Sequence, residues 1–130
     1  MGKKPYSLLD RAIADADAIN KLLPLATDEL AVDVCAYHCQ ACLEKVVKYV
    51  IELEGKEYSV RHDMSIVIDD LENNELKELI EPVIMHIDRW ISSTRYGKGI
   101  QSSSKHVQKV HDVCLKAIEI AKQITPPEIG

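Results

Sequence analysis

The chain contains no phenylalanine, one tryptophan and five tyrosines in 130 residues. A core without large aromatic plates must be filled by aliphatic and small side chains, here Leu, Ile, Val, Ala and Cys. Glycine and proline are scarce too, five of each. So few turn-formers leave little room for the many tight reversals of an all-β fold. No apolar run reaches the ~18 residues that a membrane-spanning helix needs. The opening MGKKPYS has lysines with no apolar stretch behind them. It does not read as a secretory leader, and its context argues against acylation of Gly2. A cytoplasmic protein without a membrane segment is the expectation.

The remaining composition is 46% apolar and 28% charged, which suits one globular domain over residues 1–130. Apolar residues recur at helical spacing almost throughout. Residues 7–23 form a first helix on Leu8, Leu9, Ala12, Ala16, Ile19 and Leu23, with Ser7 and Asp10 placed for a capping box and Pro24 as its stop. The second helix, 27–54, carries Ala31, Cys35, Cys39, Cys42, Val46, Tyr49, Val50 and Leu53 on one face, with Asp33, Gln40, Glu44, Lys48 and Glu52 opposite. Gly55 is its natural stop. A shorter third helix, 61–71, is organised on Met64, Val67, Ile68 and Leu71, and Asn73-Asn74 break it. The fourth, 75–92, keeps one phase through Leu76, Leu79, Ile80, Val83, Ile87, Trp90 and Ile91, so Pro82 is expected to kink rather than split it. A fifth helix follows the irregular stretch 94–101 and runs to Ile124. Short links between long helices favour antiparallel neighbours. The predicted fold is all-α, an up-and-down four-helix bundle with one additional short helix.

The net charge is −5, against the basic balance of a general nucleic-acid binder. The charges are unevenly spread. Residues 91–111 contain no acid but include Arg95, Lys98, Lys105 and Lys109. That segment is either a solvated face or a local anion site inside an acidic domain. Within it Arg95-Tyr96-Gly97 combines a planar phosphate fork, a stacking ring and a backbone open to close approach.

Cys35, His38, Cys39 and Cys42 have zinc-ligand chemistry, but four ligands on one rigid helix cannot surround an ion tetrahedrally. Small buried packing residues are the better reading. His38 lies at the edge of that face. His106 and His111 flank the apolar face of the fifth helix. There is no phosphate-loop or dinucleotide fingerprint, no defensible Ser-His-Asp set, and hence no expected cofactor or metal.

Ala36-Tyr37-His38-Cys39-Gln40, continuing to Glu44-Lys45 and Lys48, resembles the long-helix signature of the HEPN domain (higher eukaryotes and prokaryotes nucleotide-binding). Arg61-His62-Asp63 resembles its next segment, and Thr94-Arg95-Tyr96 its later loop, with Gly97 replacing proline. The resemblance implies a helical bundle that commonly forms homodimers. It implies a nucleotide- or RNA-related role, often beside a small nucleotidyltransferase in a prokaryotic toxin–antitoxin pair. It also places alanine where Cys39 and Cys42 stand, in keeping with packing. Ribonuclease members carry Arg, four to six residues, then His. Here ten residues lie between Arg95 and His106, and Lys105 stands in place of Arg before His111.

The first expectation is therefore a non-catalytic binding module in which Arg95, Tyr96, Lys98 and Lys105 present a phosphate-facing patch lined by His38 and His62. The ligand is a nucleotide or RNA, or the patch engages a nucleotidyltransferase. The alternatives are an endoribonuclease toxin using Arg95 with His106 or His111, and a purely structural dimerisation unit.

Overall fold

The second helix is the axis of the molecule. In a computed structural model, which describes residues 7–58, 64–95 and 103–124 and only the backbone of 91–95, α2 spans Glu29–Leu53. At 1.5 Å per residue that is about 37 Å. Asp28 caps it by accepting the Ala31 N–H at 2.8 Å. Past its end, Gly55 takes the left-handed conformation, φ +80°, which a side chain would strain.

The small side chains Cys35, Ala36, Cys39 and Cys42 of α2 are fully buried. They let neighbouring helices approach closely. α1 (Leu8–Leu22) starts from the predicted capping box: Ser7 Oγ accepts the Asp10 N–H and Asp10 accepts the Ser7 N–H. A 3₁₀ turn at Leu23–Leu25, with Pro24 inside it, leads to α2. α1 then packs Ala12, Ala16 and Ile19 into the core. α6 (Ser104–Gln123) packs against both α2 and α1, capped by Ser103 and buried through Val107, Val110, Cys114, Ala117, Ile118 and Ala121.

The burial on α2 is wider than the predicted face. Val32, Leu43, Val47 and Ile51 are also buried, because helices cover α2 on more than one side. Lys48, predicted to face solvent, is only 8% exposed. Its stem is enclosed, its ammonium sits 3.9 Å from Glu44 and 5.3 Å above the Tyr58 ring. The chain after α2 folds back across it, which periodicity within the helix cannot show.

The remaining helices close the bundle. Of the predicted third helix the described part is one α turn, α3 (Met64–Val67), and a 3₁₀ turn at Ile68–Asp70. Asp88 anchors it by accepting the Met64 N–H at 2.9 Å. Asn73 caps α4 (Asn74–Ile80), so the Asn pair that ends one helix begins the next. Pro82 does interrupt the following helix: a 3₁₀ turn at Glu81–Val83 separates α4 from α5 (Ile84–Arg95). The apolar phase nevertheless runs through, with Leu76, Ile80, Val83, Ile87 and Trp90 all buried. A proline removes one backbone donor and crowds the preceding turn. The chain yields one tight turn and keeps its direction to the core. The predicted all-α bundle is the observed architecture, and among the described residues no helix is long and apolar enough to cross a membrane.

Candidate nucleotide-phosphate site

The most cationic described surface lies where α5 and the start of α6 meet. His86 on α5 and His106 on α6 stack with ring centroids 4.7 Å apart and planes tilted 30°. The other neighbour of His86 is Trp90, one turn on, at 6.3 Å. Trp90 is buried and supports the stack from the core side. His86 is half-buried, while His106, Arg89 and Lys109 are exposed.

These four side chains form one electrostatic unit. Partial burial lowers the His86 pKa, and the charges of His106, Lys109 and Arg89 lower it further. Among the described residues, no carboxylate is among the charges acting on His86. Asp88, next to Arg89, is engaged by the Met64 amide, and Asp112 accepts the Gln108 amide at 3.0 Å. Among the described residues, neither Arg89 nor Lys109 has an ion-pair partner. A cluster of cations lacking counter-charge on an acidic protein is a place for an anion to settle.

The residues expected from the sequence fall into three groups. Lys105 and His106 are exposed in the first turn of α6, beside this cluster. Arg95 ends α5. Tyr96, Lys98 and His62 lie outside the described residues. The remaining two are embedded in the bundle. His38 faces α1, with Nδ1 3.0 Å from Asp15 Oδ1, and the other Asp15 oxygen accepts from Lys45 Nζ at 2.6 Å. Two residues of the long-helix motif are thus held by one carboxylate of α1. His111 is not at a boundary: it is 4% exposed, and neither ring nitrogen has a hydrogen-bond partner. Its burial leaves it without access to a ligand at the surface. His86 and Arg89 went unnoticed in the sequence because they belong to a helix whose apolar stripe carries the visible signal. The excess of cations after residue 91 was the available clue, and it began one turn too late.

The four cysteines Cys35, Cys39, Cys42 and Cys114 are buried free thiols. Burial, and then the neighbouring Cys39, raise the Cys35 pKa. Burial pushes Cys114 well up, helped by its hydrogen bonds with Cys39 and Cys42. Protonated thiols of this kind are packing atoms. Among the described residues no group of three or more His, Cys, Asp or Glu side chains is placed to hold a metal.

An all-α bundle with a cationic tip built on its fourth and last long arms is thus defined by geometry alone. The sequence model of the HEPN domain matches residues 6–127, nearly the whole chain. The chain belongs to the HEPN family, and that membership points to a nucleotide- or RNA-related function. Neither the curated proteins nor the solved structures compared with it match the chain.

Proposed function

We propose that this HEPN domain binds the phosphate groups of a nucleotide or of RNA at the α5–α6 tip. Arg89 and Lys109 supply fixed positive charge, and His86 and His106 supply imidazole donors. Arg95, Lys105, Tyr96 and Lys98, the contacts expected from the sequence, complete the proposed phosphate-binding set. The observation that carries this reading is the stacked His86–His106 pair beside Arg89 and Lys109, which have no ion-pair partner among the described residues. Arginine's planar fork suits a phosphate's oxygens, while lysine acts as a point charge.

The test is isothermal titration of the protein with ATP and with a short single-stranded RNA. Arg89→Ala and Lys109→Ala each weaken binding and flatten its salt dependence, as expected when a phosphate contact is lost. Wild-type affinity in both variants removes the tip from consideration. The family resemblance supports extending the reading to a small nucleotidyltransferase as partner in a toxin–antitoxin pair. Co-purification of the two proteins from one expression host is the check.

A second reading rests on the same pair. Two neighbouring imidazoles can serve as general base and general acid in RNA transphosphorylation. His86 would take the 2′-OH proton as that oxygen bonds to phosphorus. The P–O5′ bond would break as His106 donates its proton to the leaving 5′ oxygen. The products are a 2′,3′-cyclic phosphate and a 5′-hydroxyl end. Incubation with RNA that yields those ends, and loses them in His106→Ala, separates this reading from simple binding.

A further inference from the structure

The far half of α6 carries a different surface. Between it and α4 lies an open groove of about 640 Å³. Its floor is aliphatic: Leu79 from α4, Leu115 and Ile120 from α6. Leu115 is 46% exposed, a large apolar side chain that the bundle does not use. Its rim is acidic on balance, with Glu75 and Glu78 on one bank and Glu119 on the other, where Lys116 also lines the groove and Lys122 lies 3.6 Å from Glu119. The last carbonyls of α6 add partial negative charge at the same end.

We propose that this groove docks a cationic amphipathic helix of a partner protein. The lining residues of α6, Leu115 to Gln123, span about two turns and face Leu79 of α4, the format in which one helix lays its apolar stripe between two others. The rim chooses among occupants. A second copy of this chain, packed groove to groove about a two-fold axis, would bring together two rims that each carry more glutamates than lysines. RNA and anionic lipid headgroups meet the same repulsion. A helix with leucines on one face and lysines or arginines along its flanks meets complementary charge and a matching floor. The groove and the histidine tip lie at opposite ends of α6, so one domain holds a polyanion at one end and a basic partner at the other.

The test is fluorescence anisotropy with three labelled, lactam-bridged helical peptides: Leu/Lys amphipathic, Leu/Glu amphipathic, and a Lys/Ser peptide with no apolar face. The Leu/Lys peptide binds and the other two do not. Its affinity falls about tenfold or more in Leu115→Ser, the loss of an anchor side chain, and equally in Glu78→Lys/Glu119→Lys. Both substitutions sit on exposed positions, and an unchanged thermal melt confirms the fold. RNA binding at the tip is retained in these variants, which keeps this proposal separate from the function proposed above. Equal binding of the Leu/Lys and Leu/Glu peptides overturns it, as does full affinity in Leu115→Ser. A dimer in light scattering that Leu115→Ser dissociates overturns it too, because the groove would then be a self-interface.

Discussion

Cys39 on α2 and Cys114 on α6 are joined through each other's helix backbones. The Cys114 thiol donates to the Cys39 carbonyl at 3.6 Å, and the Cys39 thiol donates to the Val107 carbonyl at 3.8 Å. Both residues are fully buried. A thiol here does what a larger side chain could not: it fills the seam between two close helices and points its weak donor at a carbonyl. Cys114→Leu should therefore cost about 1–3 kcal/mol through overpacking, visible in a urea melt.

The same burial makes a prediction about alkali. The folded protein holds the Cys114 and Cys35 protons above their ordinary pKa, so the unfolded chain ionises first as pH rises. Above the unfolded thiol pKa, about 8.5, unfolding releases protons, and stability falls with increasing pH. The slope is up to about 1.4 kcal/mol per pH unit for each thiol held protonated. Denaturant midpoints measured from pH 7 to 10 should be level at first and then decline. Cys114→Ala should soften the decline. Iodoacetamide should label these thiols slowly in the native state and readily after unfolding.

Asp15 joins α1 to α2 through His38 and Lys45, with the carboxylate 13% exposed. Its partners are about a quarter exposed, so solvent screens part of the attraction. Asp15→Ala should cost about 1–2 kcal/mol. A double-mutant cycle with Lys45→Met should return a coupling of about 0.5–1 kcal/mol. A coupling of zero would mean that Lys45 finds equivalent solvation without Asp15.

Much of the fold was legible because it is local. Ser7 with Asp10, Asp28, Asn73 and Gly55 announce helix ends by chemistry that acts within a few residues. The apolar phase crossing Pro82 survives because burial follows the core and not the hydrogen-bond ladder. What was hidden depends on distant chain. Lys48 is covered by Tyr58, His38 is matched by Asp15, and His86 meets His106 from another helix. None of these pairs has a spacing that periodicity can register. The candidate site was half visible: its α6 side lay within the acid-free stretch, while its α5 side looked like an ordinary amphipathic helix.

His111 offers a stabilising substitution. Both its ring nitrogens are buried without a partner. An unsatisfied buried polar group costs about 1–3 kcal/mol. His111→Leu removes two such atoms but replaces a flat ring with a branched side chain of slightly larger volume, and part of the gain is returned as a repacking cost. A net gain of about 1 kcal/mol should raise the melting temperature by about 3–5 °C for a chain of this length. A fall in melting temperature would indicate that the imidazole ring fills its site better than leucine can.

The histidine pair should make ligand binding depend on pH. Partial burial, His106, Lys109 and Arg89 all disfavour charge on His86 in the free protein. A phosphate placed among them reverses that balance, because its negative charge favours the imidazolium. Binding therefore takes up protons, and by linkage affinity rises as pH falls through the ordinary histidine range of about 6.5. Asp88 and Asp112 accept from the Met64 and Gln108 amides, and neither is among the charges acting on His86. Titrations with ATP in buffers of different ionisation enthalpy should show net proton uptake near neutral pH. His86→Ala should reduce that uptake while Arg89 and Lys109 retain part of the affinity. An affinity constant from pH 5.5 to 8 in the wild type would show that the bound anion does not contact the pair.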